Sequence, residues 1–245
     1  MSDRAIIQKL ITDAARSAFP PLGLSQKGRS RLWYDDRGWS LTLVEFQPGR
    51  SPGTYLNVGV MWLWADRAFW AFDHGGRTYW RDDLTFTWQP PDGEAGWHQH
   101  VDFRNADQFG QEIALVARIA ALQVEELRRQ FPDAASVGEQ LTNMPARIGE
   151  SPLWRAFHGG AAAALGGDMS AADQNLGKVA AADLHVEWER ELAAQAVGLL
   201  QLMHDPAAVR HRVVEAIARG RSLLGLPAAV IDADVVQRSR LRRQE

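Results

Sequence analysis

The stretch TYLNVGVMWLW, residues 54–64, decides the fold. Leu56, Val58, Val60, Trp62 and Trp64 fall at every second position, with Tyr55, Asn57, Gly59, Met61 and Leu63 between them. A period of two sends successive side chains to opposite faces, which predicts a β-strand. Trp62 and Trp64 share a face with Val58 and Val60, so both indoles are expected in the core.

Upstream of that strand, Trp39–Gln47 alternates as well, and Pro48-Gly49 and Pro52-Gly53 punctuate the loop between the two. Arg31–Asp35 is a short strand run ahead of the turn Asp36–Gly38. Downstream, Ala68–Asp73 is a further strand candidate, leading to a turn at His74-Gly75-Gly76. Thr78–Trp80, Leu84–Trp88 and Trp97–Phe103 are shorter candidates around the loop QPPDGEAG. The pattern is an antiparallel meander. A helix precedes it: Ile6, Ile7, Leu10, Ile11, Ala14 and Ala18 recur at helical spacing, and Pro20 and Pro21 end the run.

From Asn105 the period changes. Ile113, Val116, Ala117, Ala120, Val124, Leu127 and Phe131 trace a helical stripe, stopped by Pro132. Residues 133–150 read as a short helix or turns. Ser151-Pro152 is a helix start. GGAAAALGGD, residues 159–168, reads either as a close-packed helix or as a flexible connection. A long helical pattern covers about residues 170–204, with Leu184, Trp188, Leu192, Ala196, Leu199 and Met203 on one stripe. Asp205-Pro206 starts another helix, marked by Val209, Val213, Ile217, Gly220 and Leu224, and a last one is expected over 232–243.

Composition agrees with this division. Seventeen of the 22 aromatic residues precede position 104, whereas 28 of the 36 alanines follow it. Aromatics favour strands and alanine favours helices. The expected class is therefore α+β: residues 1–132 form a domain with an N-terminal helix and an antiparallel, aromatic-rich sheet, and residues 133–245 form a helical segment packed on it. At 46% hydrophobic and 23% charged, the 245-residue chain is not of disordered composition.

The formal charge of −3 gives no basic field for nucleic acid. The absence of cysteine excludes disulfides, thiolate metal sites and cysteine nucleophiles. The start MSDRAIIQKLITDAARSAF has charges throughout its apolar stretch, so no export signal is expected, nor is a membrane span. The expected location is the cytoplasm.

Within residues 5–64, PPLGLSQKGRSRLWYDDRGWSLTLVEFQPGRSPGTYLNVGVMWLW resembles the bacterial domain-of-unknown-function family 4304. The matching positions are Gly23, Leu24, Lys27, Gly28, Gln47, Asn57, Val58, Gly59 and Val60, and the aromatic after the Lys-Gly turn is displaced to Trp33 and Tyr34. The resemblance implies an α+β fold and no particular activity. Relatives near bacterial conflict or toxin-immunity systems imply a protein-binding role. On physical grounds, Gly59 permits close approach of another backbone. The amides of Gln47 and Asn57 can bond a neighbouring strand, or a ligand, across a sheet face.

Residues with chemical capacity are few. In WHQHVD, residues 97–102, His98, His100 and Asp102 share one face if the segment is a strand, and three such groups can converge on a metal ion. The run echoes the HxHxDH of the metallo-β-lactamase fold, but Phe103 stands where that pattern carries a further His. A third or fourth ligand would have to come from His74, His158 or a distant carboxylate. His185, Glu187 and Glu189 make a weaker group that lacks the second His of HExxH. Asp35-Asp36 and Asp82-Asp83 read as turn residues. Arg238, Arg240, Arg242 and Arg243 form a short basic tail able to touch phosphates. Of the tryptophans outside the strand core, Trp80 and Trp88 lie among polar residues and are read as an exposed recognition surface, together with Gln47 and Asn57. No Walker A loop, dinucleotide fingerprint or GxSxG elbow is present.

The function these features favour is a non-catalytic interaction module, accessory or immunity-like, with another protein as partner and no cofactor. The alternative is a metal-dependent hydrolase using His98, His100 and Asp102.

Overall fold

The computed structural model describes residues 2–90, 92–146 and 149–231. The fold is α+β. The chain forms two compact units, one of Met1–Met61 with Ala71–Arg129 and the other of Trp62–Trp70 with Gln130–Glu245.

In the first unit, helix α1 (Asp3–Ala18) buries Ile7, Ile11 and Ala15, and Pro20 opens a 3-10 turn directly after it. The strands are β1 (Ser25–Gln26), β2 (Leu32–Asp36), β3 (Ser40–Gln47), β4 (Gly53–Trp62), β5 (His74–Arg77), β6 (Tyr79–Trp80), β7 (Phe86–Thr87) and β8 (His100–Asp102). The main sheet has the order β1-β2-β3-β4-β5, and β8 also pairs with β4; β6 and β7 form a separate pair. Strands β5 and β8 take successive parts of β4: β8 faces Gly53–Tyr55 and β5 faces Asn57–Val60.

Phe19, Trp33 and Phe46 pack as a ring cluster with centroids 5.6–6.2 Å apart. All three are buried, each contributing on the order of 2–3 kcal/mol by removal from water. Helix α2 (Ala106–Gln130) buries the expected stripe, including Ile113, Val116, Ala120 and Val124. Its buried Gln123 accepts a 3.0 Å hydrogen bond from Thr78 Oγ1.

Two local expectations are corrected here. Ala68–Asp73 is not a strand, and His74-Gly75-Gly76 is not a turn but the beginning of β5. Glycine makes this pairing possible. Gly75 lies opposite Gly59, and a Cβ on Gly59 would stand 2.1 Å from the His74 carbonyl oxygen. Gly75 itself has φ +89°, where a side chain is strained.

The second unit contains α3 (Ala134–Asn143), α4 (Pro152–Gly166), α5 (Met169–Ala180), α6 (Glu187–Leu200) and α7 (Pro206–Leu223). Helix α4 is buried from Phe157 to Gly166 and contacts α3, α5, α6 and α7. Its small residues explain why. A Cβ on Gly138 of α3 would stand 2.8 Å from Ala163 N, one on Gly166 would stand 2.7 Å from Ala135 Cα, and one on Gly160 would meet Leu176 Cγ at 2.6 Å. The GGAAAALGG block is thus a close-packed helix and not a flexible connection.

Residues 62–70, read from sequence as part of the first domain, belong to this helical unit. Trp64 Nε1 donates to His158 Nδ1 at 3.0 Å, and Asp66 pairs with Arg219 at 3.2 Å. Gly220 leaves room for the Leu63 carbonyl, 2.6 Å from where its Cβ would be.

The single long helix expected over 170–204 is broken into α5 and α6. Glu189 Oε2 accepts the backbone N–H groups of His185 (2.7 Å) and Val186 (3.2 Å), so these donors are capped where α6 begins. The helix expected over 232–243 lies outside the described residues. Among the described residues, no helix is long and apolar enough to cross a membrane.

Candidate binding site on the sheet

The register of β4 assembles a polar cluster on one face of the first unit's sheet. Gly53 lies opposite Asp102, Tyr55 opposite His100, and Asn57 opposite Arg77. These β4 positions are two residues apart, so all six residues share a face. Glu45 and Gln47 reach the same cluster from β3.

Asn57 is its centre. The residue is 7% exposed. Its Nδ2 donates to Glu45 Oε2 at 2.9 Å and to Gln47 Oε1 at 3.0 Å, while its Oδ1 accepts from Arg77 Nε at 3.0 Å. Arg77 Nη2 donates to Gln47 Oε1 at 2.8 Å. The guanidinium also lies over the Tyr55 ring, 3.7 Å from its centroid, a cation–π contact. Among the described residues, no carboxylate forms an ion pair with Arg77; its hydrogen bonds go to neutral amides.

His100 extends the cluster. Its ring centroid is 4.5 Å from that of Tyr55, and its Nδ1 lies 3.0 Å from Asp102 Oδ1. A carboxylate oxygen accepts, so Nδ1 is the donor of this pair. Nε2 is buried and has no hydrogen-bond partner among the described residues. The loop between β3 and β4 closes over this ring: a Cβ on Gly49 would stand 2.9 Å from Nε2, and one on Gly53 would stand 2.2 Å from the Val101 carbonyl oxygen. The arrangement offers a fixed cation, an aromatic ring and several amide and carboxylate acceptors. It contains no nucleophile paired with a base.

No family model, curated protein or solved structure matches this chain.

Of the surface residues anticipated from sequence, Gln47 and Asn57 meet in this cluster and the two tryptophans do not join it. Trp80 is only 3% exposed, which corrects its reading as an exposed ring. It occupies β6 and exchanges backbone hydrogen bonds with His98 at 2.8 and 2.9 Å. Trp88 is half-buried; its Nε1 donates to the Val58 carbonyl at 3.0 Å and its ring meets His74 edge-on.

The metal set is also corrected. Strand β8 begins only at His100, so His98 escapes the strand alternation that would align it. His98 is bridged to Trp80, and its half-exposed ring lies 3.6 Å from Asp82. Among the described residues, no group of three or more His, Asp or Glu side chains is placed to hold a metal ion. The proposed completing histidines have other partners: His74 packs on Trp88, and His158 accepts from the Trp64 indole.

Glu189 and His185 serve a helix start, and Glu187 is the first residue of α6. Asp36 and Asp83 accept from Gly38 N and Thr85 N at 2.9 Å as turn residues, and the Thr85 N–H holds the Asp83 carboxyl below its ordinary pKa. The arginines at 238, 240, 242 and 243 lie outside the described residues.

Arg77, Tyr55 and Glu45 were missed. The alternation of β4 already placed Tyr55 with Asn57. Nothing in the sequence announced that Arg77 pairs with Asn57, because that depends on the register of β5.

Proposed function

We propose that the chain is a non-catalytic interaction module that binds another protein through the sheet face around Asn57 and Arg77. What supports this most is the Arg77 guanidinium, held in place by two neutral amides and a tyrosine ring with no carboxylate paired to it. Tyr and Arg are the residue types that anchor protein interfaces, since both present large, partly apolar surface with directional donors. Holding them rigid before binding lowers the ordering cost of association. The resemblance to family 4304 and a cytoplasmic location belong to the same proposal.

The test is a photo-cross-linking residue at position 48, exposed and next to Gln47, in the full chain expressed in its native host, with Glu125 as the control position. A discrete cross-linked protein at position 48, absent at position 125 and lost with Arg77→Ala, is expected. Equal capture at both positions, or capture that ignores Arg77, overturns the assignment of this face.

A further inference from the structure

We infer that Arg77 is a receptor for a single carboxylate, and that this carboxylate is the polar anchor by which the partner is recognised. The inference rests on the binding reading above and adds its chemistry.

A guanidinium has two edges able to grip a carboxylate, a side-on edge (Nε with Nη2) and an end-on edge (Nη1 with Nη2). Asn57 Oδ1 accepts from Nε at 3.0 Å and Gln47 Oε1 from Nη2 at 2.8 Å, so the protein's own amides occupy the side-on edge. Nη1 has no hydrogen-bond partner among the described residues. The end-on edge therefore keeps two parallel donors, matched to the two oxygens of a carboxylate. Tyr55 covers one face of the guanidinium and fixes the plane in which those donors point.

The charge balance favours one carboxylate over a phosphate. Among the described residues, Arg77 is the only cation hydrogen-bonded around Asn57, and the Glu45 carboxylate belongs to the same cluster. A dianion would bring two negative charges to a site where Glu45 already balances Arg77. A monoanion needs one two-pronged donor edge, which is what remains. A lysine cannot replace it, because an ammonium is a point charge without a fork.

The experiment is a titration of the full chain followed by the Nε–H resonance of Arg77, assigned by its disappearance in Arg77→Lys. Acetate, inorganic phosphate and chloride are added at constant ionic strength. Acetate should give a saturable shift, with phosphate weaker and chloride flat. Two hexapeptides then separate the sources: one with an internal Glu and an amidated end, the other with a free C-terminus and no acidic side chain. Binding of either should weaken at least about tenfold in Arg77→Lys. A linear response to acetate, stronger binding of phosphate, or peptide affinity indifferent to Arg77→Lys overturns the inference. If acetate fails while cross-linking at position 48 still depends on Arg77, the interaction reading stands and this inference falls; saturable acetate binding with no cross-linked partner keeps Arg77 as a carboxylate receptor and overturns both the interaction reading and the anchor role built on it.

Discussion

Asn57 and Arg77 face each other across the β4–β5 ladder, and the guanidinium Nε donates to the amide Oδ1 at 3.0 Å. The two are unequal in burial, since Asn57 is nearly enclosed and Arg77 is half-exposed. Removing the arginine leaves acceptors that water can reach, at a stability cost of about 1 kcal/mol or less. Removing the amide withdraws the partner of three groups inside the sheet face and should cost about 1–3 kcal/mol. Urea unfolding of Asn57→Ala and Arg77→Ala should therefore rank the amide first. The opposite ranking would mean that Arg77 holds the sheet together and is not a surface group.

Trp80 is part of the first unit's core. Its truncation to alanine should cost about 3–5 kcal/mol, as expected for a large buried ring. Trp88→Ala, which loses one indole hydrogen bond and a half-buried ring, should cost less, about 1–2 kcal/mol. An unchanged melting temperature for Trp80→Ala would restore its reading as a recognition surface.

These two residues show where sequence reading stops. The alternation of 54–64 made β4 legible, because a two-residue period is a local property. Helix α4 was half legible: Ser151-Pro152 marked its start, but its glycines suited packing and flexibility equally. Only the facing atoms of Ala135, Ala163 and Leu176 decide between them. The polar neighbours of Trp80 suggested exposure, whereas its burial depends on contacts distant in sequence; even its backbone bridge is to His98, eighteen positions on. His98, His100 and Asp102 share a face only if the strand reaches back to His98, and β8 begins at His100. The site's centre was visible as Gln47 and Asn57. Its cation was not, since no local pattern encodes the register of β5.

The glycines of the second unit divide into two kinds. Gly138→Ala and Gly166→Ala would drive a methyl into the backbone of a neighbouring helix and should destabilise by about 1–3 kcal/mol. Gly177 and Gly198 lie within helices with nothing inside 4 Å of an added Cβ, so alanine there should stabilise by about 0.5–1 kcal/mol. Shifts of the urea midpoint in opposite directions would support the close-packed description of α4. Similar effects at all four positions would refute it.

Glu189 predicts a specific acid response. The backbone N–H of His185, followed by that of Val186, holds its carboxyl below the ordinary range. A carboxylate whose folded pKa is lowered stabilises the fold above the unfolded value of about 4.3, and that contribution fades as pH falls through the lowered folded value. Glu189→Gln should therefore differ from the wild type by a constant amount above about pH 5, with the gap narrowing below about pH 4. Urea unfolding across that range checks this, and a gap independent of pH would show that the charge plays no part in starting α6.

The sheet face around Asn57 and Arg77 is tested most directly by the affinity of the cross-linked partner, once identified and purified, for the wild-type chain and for Arg77→Ala at a temperature where both chains are fully folded. A desolvated charge-assisted anchor predicts a Kd raised at least about tenfold in the variant. An unchanged Kd, with both proteins folded, would mean that the partner docks elsewhere.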